Sequence, residues 1–420
     1  MRKKVCILGL GYIGLPTAAL FANNGYDVTG VDINQDVIEN LNEGKIIIKE
    51  PNLDELVKKV VGQNMLKGSL TPSESDIFII CVPTPITKDK NADLKYIVKA
   101  VNDILPYLKV GDIVVLESTS PVGTTKNIVK SILEKTNLDI GNDIYLGYSP
   151  ERVLPGQIIK ELVSNHRVIG GINEISAEKI KNVYESFVEG EIYTTDTDTA
   201  EMVKLIENTF RDINIAFANE LSLICDKLGM SAWDVIEYAN KHPRVNILNP
   251  GPGVGGHCLA VDPWFIVESS KDLANIVKLA RNTNDYMPTY VFNKIQKLTD
   301  KTKKNIKVCI LGATYKKDID DMRESPIVHL IDILRKNNYE VELYDPYVKN
   351  YEVLNNNIYE CAKNSDFLVL GVDHTVFKDL DYKAILEVMD NNIFIDTRNF
   401  FNKDNIESIG YKYYLIGSSI

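Results

Sequence analysis

The feature that most constrains the fold of this chain is an internal repeat. Three short apolar segments near the start return, in the same order, near the end. The pairs are KVCILG at residues 4–9 and 307–312, DVTGVD at 27–32 with EVELYD at 340–345, and SDIFII at 75–80 with SDFLVL at 365–370. Continuous apolar runs of this length are typical of parallel strands that are buried on both faces.

Helical patterns fill the gaps between these strands, for example at residues 96–108 and 327–336. Alternation of strands and helices predicts a doubly wound α/β sheet, and the repeat predicts two of them. We therefore expect two Rossmann-like domains with parallel sheets, one at each end of the chain.

The middle of the chain has a different pattern, in which apolar residues recur every three or four positions. The spacing predicts one apolar face of a long helix, formed by Val203, Ile206, Phe210, Ile213, Phe217, Leu221, Ile224 and Leu228. Asp198 with Glu201 is the predicted capping pair at its start, and Gly229 is the predicted stop. A helix of this length suits a connector or an oligomer contact better than a helix that covers a sheet.

Further helices are predicted at residues 232–241 and 273–285. The expected organisation is an α/β domain at residues 1–195, a helical middle domain at 196–300 and a second α/β domain at 301–420.

The first predicted strand runs into a glycine turn, Gly9-Leu10-Gly11-Tyr12-Ile13-Gly14. In a dinucleotide-binding turn the glycines allow a tight bend, close approach of the pyrophosphate, and packing of helix on strand. Asp32 ends the second strand, where a carboxylate suits a pair of ribose hydroxyls and repels a 2′-phosphate. The sequence therefore predicts NAD rather than NADP, since a plain turn does not need these glycines and the aspartate together.

Composition excludes several classes of partner. The net charge of −11 argues against nucleic acid, which favours a basic face. The six cysteines form no CxxC pair, so we expect no metal site. No charge-free apolar run reaches the roughly 18 residues of a membrane span, and no signal peptide is recognised. We expect a reduced, cytoplasmic protein without a membrane partner.

One cysteine, Cys258, lies in a loop rich in glycine and proline, NPGPGVGGHCLAVDP at residues 249–263. A cysteine on such a loop is a candidate for chemistry, although most free cysteines are small buried hydrophobes. Lys204 and Asn208 lie one turn apart on the long helix, where they form either a pocket-facing pair or a solvated face. Glu151 and Thr119 follow two predicted strands, at the edge where α/β proteins bind ligands.

The turn of the second α/β domain, Gly312-Ala313-Thr314-Tyr315-Lys316-Lys317, lacks the second and third glycines and carries two lysines. It favours a phosphate-bearing ligand other than a dinucleotide, with two solvated lysines as the alternative. Arg323 and Arg398 lie beside loops at the strand edge and favour an anionic site.

Together these motifs resemble the UDP-glucose/GDP-mannose dehydrogenase family over essentially the whole chain. They are the glycine turn, SPER at residues 149–152, the segment from Lys204 to Asn208 followed by TFR, GGHC at 255–258, and KKD at 316–318 with RES at 323–325. The resemblance implies oxidation of the C6 alcohol of a nucleotide sugar to a carboxylate with two NAD. It also implies that the helical middle domain dimerises and that the last domain binds the nucleotide sugar. The expected pathway is polysaccharide biosynthesis.

The same resemblance assigns catalytic roles. Cys258 matches the nucleophile that forms a thiohemiacetal and then a thioester, and Asp262 matches the residue that helps to activate water. Lys204 matches the cation that stabilises oxyanions. The remaining matches are Glu151 as the carboxylate beside the reacting carbon, Asn208 as a water-holding amide, and Thr119 as a contact of nicotinamide and water.

The resemblance also implies binding residues. The cofactor set is Gly9, Gly11, Tyr12, Ile13, Gly14, Asp32, Pro83, Thr84, Thr119 and Arg323. The substrate set is Glu151, Arg152, Val153, Lys204, Asn208, Arg211, His242, Arg244, Gly255, His257, Tyr315, Lys316 and Arg398. Two of these, Arg244 and Arg323, match arginines that reach the neighbouring subunit, so a homodimer or a higher homo-oligomer is expected.

Two departures narrow the substrate. The UDP-glucose branch has serine and lysine where this chain has His257 and Val261, so the chain resembles the N-acetylhexosamine branch. Within it, residues 151–156 (ERVLPG) resemble the enzymes for UDP-N-acetylmannosamine, whereas the enzymes for UDP-N-acetylglucosamine carry acidic residues at the third and fourth positions. The alternatives are UDP-N-acetylglucosamine, a single-step hydroxyacid dehydrogenase of the 6-phosphogluconate type, and a sensor without turnover.

Overall fold

A computed structural model describes residues 2–48, 50–154 and 156–419. The chain forms two compact units, of which the first comprises Met1–Glu207 and Trp264–Lys271 and the second Asn208–Pro263 and Asp272–Ile420. The division into three domains with limits at residues 195 and 300 stays a prediction.

The first unit contains an eight-stranded sheet with the order β3-β2-β1-β4-β5-β6-β7-β8. Its strands are β1 (Lys4–Leu8), β2 (Asp27–Val31), β3 (Leu66–Ser69), β4 (Ile77–Ile80), β5 (Ile113–Leu116), β6 (Tyr145–Tyr148), β7 (Arg167–Gly171) and β8 (Ile192–Asp196). All neighbours are parallel except β6 and β7, which are antiparallel. The prediction of a parallel sheet is therefore correct as far as β6, but the last two strands run the other way. A buried apolar run has the same composition in either direction, so the sequence pattern does not encode this reversal.

Helices cover both faces of this sheet. They are α1 (Gly14–Asn23), α2 (Gln35–Asn42), α3 (Leu53–Gly62), α4 (Lys95–Ile104), α5 (Lys130–Leu133), α6 (Ile158–Ser164) and α7 (Glu174–Tyr184). Successive side chains of β1 enter different cores, with Val5 and Ile7 in one and Cys6 and Leu8 in the other. Alternate strand residues point to opposite faces, so a strand covered on both sides must be apolar throughout.

The second unit contains a five-stranded, fully parallel sheet with the order β10-β9-β11-β12-β13. Its strands are β9 (Lys307–Leu311), β10 (Glu340–Tyr344), β11 (Phe367–Leu370), β12 (Ile393–Asp396) and β13 (Lys412–Leu415). The helices are α9 (Ala232–Ala239), α11 (Asn275–Leu298), α12 (Pro326–Lys336), α13 (Ile358–Ala362), α14 (Tyr382–Val388) and α15 (Lys403–Ile409). Helix α10 (Asp262–Ser269) begins in this unit, but from Trp264 onwards it belongs to the first unit. The predicted helix at 273–285 is thus longer than expected, because α11 continues through Pro288.

The internal repeat is confirmed at the level of strand register. In the first sheet Lys4 pairs with Asp27, and in the second Lys307 pairs with Glu340. The first strand of each repeat lies between the second and the third, since β1 pairs with β2 and β4 while β9 pairs with β10 and β11.

The predicted long helix is present as α8 (Thr197–Leu228), which has 32 residues and a length of about 48 Å. Its predicted stop is confirmed, because Gly229 follows with a φ of +77°. The predicted capping pair is wrong. The side chain of Asp196 accepts the backbone N–H of Thr199 at 2.9 Å, whereas Glu201 faces the loop after β5 and accepts the backbone N–H of Thr125.

The predicted apolar stripe of α8 is largely exposed within a single chain. Phe210 is 67% exposed and Leu228 is 64% exposed, and Phe217 and Ile224 are also accessible. Apart from Leu205, the buried positions of this helix carry small or polar residues, among them Thr209, Asp212, Asn219 and Ser222. Among the described residues, no helix combines the length and the apolar character that a membrane crossing requires.

Candidate active site

The glycine turn after β1 has the geometry that a bound pyrophosphate requires. Gly9 has a φ of +94°, and a Cβ there would lie 2.6 Å from the carbonyl oxygen of Cys81. A Cβ on Gly14 would lie 1.8 Å from the carbonyl oxygen of Gly9. At Gly11 an added Cβ meets no described atom within 4 Å. The outer glycines therefore serve packing, while the central one leaves bare backbone in front of the α1 N-terminus.

Asp32 is oriented by the same turn. Its Oδ2 accepts the backbone N–H of Leu10 at 2.9 Å, and its Oδ1 accepts that of Asn34 at 2.9 Å. The side chain is half-buried, so its outer side stays available to a ribose.

Other predicted cofactor residues lie at the neighbouring strand ends. Pro83 and Thr84 follow β4, Thr119 follows β5, and Tyr12 and Ile13 belong to the turn itself. The hydroxyl oxygen of Thr84 is buried without a hydrogen-bond partner among the described residues. A polar atom of this kind fits a ligand that completes its hydrogen bonds.

Glu151, which follows β6, is buried and forms an ion pair with Arg167 at the start of β7. Arg167 also donates to Ser149 Oγ at 3.0 Å and lies 3.4 Å from Glu117 Oε1. Burial raises the pKa of Glu151 to about 7, a shift that Arg167 opposes and Glu117 reinforces. The carboxyl can therefore exchange a proton near neutral pH.

Glu117 comes directly after β5 and has two further donors. The hydroxyl of Tyr184 donates to its Oε1, and the thiol of Cys81 donates to its Oε2 at 3.1 Å. Burial raises the pKa of both donors well above their usual values, so both keep their protons. No sequence motif points to Arg167, Glu117 or Tyr184; the one available signal is the charged residue Glu117 at the carboxyl end of a buried strand.

Lys204 is buried on α8, so its alternative interpretation as part of a solvated face is wrong. One turn earlier, Glu201 accepts the backbone N–H groups of Gly123 and Thr125 at 2.6 and 2.8 Å and the Thr125 hydroxyl at 2.7 Å. These bonds anchor the loop after β5, which carries Thr119. Burial raises the pKa of Glu201 to about 7 against the lowering effect of the hydrogen bonds.

The predicted substrate residue Arg152 already has partners within the first unit. Its guanidinium donates to Glu207 Oε1 at 2.6 Å and to the carbonyl oxygen of His166. Val153 follows it and is half-buried, while Pro155 of the same motif lies outside the described residues.

The second unit brings together three of the predicted catalytic residues. Asn208 Nδ2 donates to Asp262 Oδ2 at 2.6 Å. Asp262 begins α10, and its backbone N–H donates to the carbonyl oxygen of Cys258 at 2.8 Å. Asp262 is buried and Cys258 half-buried, so a carboxylate fixed by an amide lies one helical turn from a partly accessible thiol.

The glycines before Cys258 let the loop pack closely against its neighbours in the second unit. A Cβ on Gly255 would lie 2.5 Å from the carbonyl oxygen of Glu324 and 2.8 Å from Tyr315 Cβ, and one on Gly256 would lie 3.0 Å from the Tyr315 ring. Earlier in the loop, a Cβ on Gly251 would lie 2.9 Å from Arg398 Nη1. The glycines thus pack the loop against two predicted substrate residues.

The remaining predicted substrate residues differ in exposure. Arg398 is half-buried and donates to the carbonyl oxygen of Gly371 at 3.2 Å, and desolvation lowers its pKa. Lys316 is exposed, as is Arg211 on α8. His257 is exposed and lies 4.0 Å from Asp321.

The two arginines predicted to reach a neighbouring subunit are both exposed. Arg323 forms a bidentate pair with Asp321, with nitrogen–oxygen distances of 2.6 and 3.0 Å. Arg244 lies in the turn after α9, where its backbone N–H donates to His242 Nδ1 at 3.3 Å.

The structure therefore gathers the predicted residues in two sets, one within each unit. The glycine turn, Asp32, Thr119, Glu151 and Lys204 belong to the first, and Asn208, Cys258, Asp262, Tyr315 and Arg398 to the second. No group of three or more His, Cys, Asp or Glu side chains within the described ranges could hold a metal ion.

Comparison with known families gives matches along most of the chain. Residues 3–188 match the NAD binding domain of the UDP-glucose/GDP-mannose dehydrogenase family, residues 198–286 its central domain, and residues 309–403 its UDP binding domain. The chain belongs to this family. The predictions of NAD as cofactor and of a nucleotide-sugar dehydrogenase are thereby confirmed.

Members of the UDP-glucose/GDP-mannose dehydrogenase family resemble the chain over its full length. A UDP-N-acetyl-D-mannosamine dehydrogenase of Methanococcus aeolicus is 50% identical, covering 99% of this chain and 95% of the relative. The solved UDP-N-acetyl-mannosamine dehydrogenase of Staphylococcus aureus has a TM-score of 0.89 and 44% identity, with 99% of each chain covered. A solved UDP-D-ManNAc dehydrogenase of Pyrococcus horikoshii has a TM-score of 0.90 and 40% identity, again with 99% of each chain covered.

Proposed function

We propose that the protein oxidises UDP-N-acetyl-D-mannosamine to UDP-N-acetyl-D-mannosaminuronate with two NAD⁺. The observation that carries this proposal is the cluster of Asn208, Asp262 and Cys258, in which a carboxylate fixed by an amide lies one helical turn from a thiol. An oxidation that stops at the aldehyde needs neither group. The choice of sugar rests on the substrate named for the full-length relatives and on His257 and Val261.

The chemistry requires a covalent stage. In the first oxidation the C6 alcohol loses a hydride to NAD⁺ and its hydroxyl proton to a base, which gives an aldehyde. An aldehyde hydride leaves readily only after addition to the carbonyl. The Cys258 thiolate therefore adds to that carbon and forms a thiohemiacetal. Loss of the second hydride to a second NAD⁺ gives a thioester, which water hydrolyses to the carboxylate and the free thiol.

The residues of the chain supply charge and proton transfer in this scheme. The ammonium group of Lys204 stabilises the oxygen of the alkoxide and of the tetrahedral intermediates. Asp262, oriented by Asn208, accepts a proton from the hydrolytic water. Glu151, with its pKa raised to about 7, releases and takes up a proton at the reacting carbon. Thr119 contacts the nicotinamide and the water.

Substrate and cofactor contacts follow the same assignment. Tyr315, Lys316 and Arg398 bind the nucleotide sugar, with the guanidinium and the ammonium group facing its phosphates. The turn at Gly11 would hold the pyrophosphate of NAD, and Asp32 would accept hydrogen bonds from its ribose.

We further propose that the working unit is a homodimer in which a second copy covers the exposed stripe of α8. Side chains such as Phe210 and Leu228 are then removed from contact with water. The free energy gained, about 25 cal/mol per Å² of apolar surface buried, favours the association. In this arrangement Arg244 reaches the nucleotide sugar of the neighbour, and Arg323 reaches its cofactor.

The deciding experiment is to measure NADH release and product mass with UDP-N-acetylmannosamine, UDP-N-acetylglucosamine, UDP-glucose and GDP-mannose. We expect two NADH per molecule of UDP-N-acetylmannosamine, a uronate product, and the highest kcat/KM for this sugar. One NADH per sugar with an aldehyde product would refute the covalent mechanism. A higher kcat/KM for UDP-N-acetylglucosamine would refute the choice of epimer and leave the mechanism intact.

A further inference from the structure

A cluster of buried charges lies behind Glu151 in the first unit, and the proposed mechanism uses only one of them. The side chains of Glu117, Arg167 and Glu151 are 0, 4 and 8% exposed. Placing ions in such surroundings costs several kcal/mol per group unless each is paired and hydrogen-bonded. Two carboxylates that share one guanidinium are a costly way to build a core, which points to a function.

Arg167 is held in one orientation. One end of its guanidinium pairs with Glu151, and the other donates to Ser149 Oγ at 3.0 Å and lies 3.4 Å from Glu117. The guanidinium carbon lies 4.4 Å from the centroid of the Tyr184 ring. A planar fork stacked on an aromatic ring fixes the direction of the carboxyl that it binds, which the single ammonium group of a lysine cannot do.

Glu117 is held just as firmly. It accepts from the Tyr184 hydroxyl and from the Cys81 thiol, in addition to its contact with Arg167. These donors come from three different elements, because Cys81 follows β4, Tyr184 ends α7 and Arg167 begins β7. Glu117 therefore presents a fixed charge to Glu151 from the end of β5.

The charged and titratable groups around Glu151 act in opposite directions. Arg167 on β7 and Lys204 on α8 favour its ionised form, while Glu117 at the end of β5 disfavours it. Tyr184 on α7 and Cys81 after β4 are neutral donors to Glu117. Because Arg167 pairs with two carboxylates, it stabilises the ionised form of Glu151 less than an undivided ion pair would.

We propose that Arg167 and Glu117 are positioning residues for Glu151. Arg167 fixes the direction of its carboxyl, and the charge of Glu117 prevents Arg167 and Lys204 from locking Glu151 as a permanent carboxylate. Glu151 can then take up and release a proton within each turnover. The inference rests on the proposed role of Glu151 as a proton-exchanging group.

The test is the pH profile of kcat/KM for the wild type, Glu117→Gln and Arg167→Lys. Glutamine keeps an oxygen acceptor for Tyr184 and removes the opposing charge, so the acid limb of the profile moves to lower pH, by about half a unit or more. In Arg167→Lys the positive charge remains, but the planar guanidinium that orients Glu151 is lost. The acid limb therefore moves to higher pH by a similar amount, and the plateau of the profile falls about tenfold. Each unit of displacement is a tenfold change in activity on that limb.

Asp112→Asn is the matched control. This variant removes the buried carboxylate of Asp112, which directly precedes β5 and pairs with Lys109. We expect it to leave the acid limb in place. The variant Glu151→Gln tests whether the acid limb of the profile reports the titration of Glu151. If this variant keeps the acid limb, the proposed role of Glu151 is wrong and the inference falls with it. If Glu151→Gln abolishes the limb while Glu117→Gln and Arg167→Lys leave it unmoved, the inference alone is wrong.

A second readout does not depend on turnover and covers variants that are inactive. The infrared absorption of protonated carboxylic acids should fall as pH rises in the wild type. Glu201, whose pKa is also raised to about 7, keeps its contribution in Glu151→Gln, so the component that this variant loses is that of Glu151. We expect its midpoint to fall in Glu117→Gln. An unchanged midpoint in folded Glu117→Gln protein, with thermal melting and NAD binding like those of the wild type, would refute the inference.

Discussion

Asp32 and Asp345 occupy equivalent positions at the ends of the second strands of the two sheets. Each accepts the backbone N–H of the residue after the first glycine of its turn, Leu10 at 2.9 Å and Ala313 at 2.8 Å. The two carboxylates differ in their exposure and in their further contacts. Asp32 is half-buried, whereas Asp345 is 3% exposed and lies 3.2 Å from His374 Nε2. The repeat therefore keeps one structural hydrogen bond in both sheets and leaves only the first carboxylate accessible to a ribose.

Replacing Asp32 should weaken the preference for NAD over NADP. Asp32→Asn keeps an oxygen for the Leu10 N–H and removes the charge that repels a 2′-phosphate, so the ratio of kcat/KM for NADP to that for NAD should rise about tenfold or more. The equivalent variant Asp345→Asn should lower thermal stability and leave this ratio unchanged. Equal use of both cofactors by the wild type would remove the basis of the argument.

Replacing Cys258 should stop the second oxidation far more than it affects substrate binding. Cys258→Ser loses the polarizable thiolate, so the rate of uronate formation should fall at least ~1,000-fold, while KM changes little. Single-turnover experiments should then show one NADH and an aldehyde that can be trapped. Cys225→Ser, at a buried position of α8, is the control and should keep normal turnover. Uronate formation by Cys258→Ser at nearly the wild-type rate would contradict the covalent mechanism.

The buried carboxyl of Glu201 should stabilise the fold, and its contribution to the unfolding free energy should fall as pH rises. Glu201→Ala leaves the backbone N–H groups of Gly123 and Thr125 without their acceptor in a buried place, which should cost about 2–4 kcal/mol of unfolding free energy. Burial raises its pKa from 4.5 to about 7. Between these values the folded chain keeps a proton that the unfolded chain has released, so the stabilising contribution falls as pH rises through that window.

Urea unfolding at pH 5 and pH 8 tests this directly. The difference between wild type and Glu201→Ala should be larger at pH 5 than at pH 8, by up to about 3 kcal/mol. Glu189→Ala, at an exposed position after α7, should unfold like the wild type at both pH values. A difference that grows with pH would contradict the assignment of the shift to burial.

The sequence predicts the local elements of this architecture but not the contacts between residues that are far apart along the chain. The strands of both repeats follow from apolar runs such as residues 4–9, because a run that is buried on both faces is visible in the sequence itself. The partners of Glu201 lie 76 and 78 positions earlier in the chain, and Arg167 meets Glu117 across 50 positions. No periodicity encodes such pairs, so the capping role assigned to Glu201 was wrong and the buried charge cluster was not foreseen.

The last prediction is that the active site is shared between two chains. Phe217 and Ile224 lie on the accessible stripe of α8 together with Phe210 and Leu228, and an apolar face of this size favours a symmetric partner. Arg244 is exposed in the turn after α9, where its guanidinium can reach outwards to a neighbour. Mixing inactive Cys258→Ala chains with inactive Arg244→Ala chains should restore activity, because one of the two sites in a mixed dimer keeps both residues. Up to about a quarter of wild-type activity is expected from random pairing of equal amounts, since half of the dimers are mixed and each has one complete site. A fully active monomer in sedimentation experiments, or no rescue in mixtures whose subunits demonstrably exchange, would exclude the shared site.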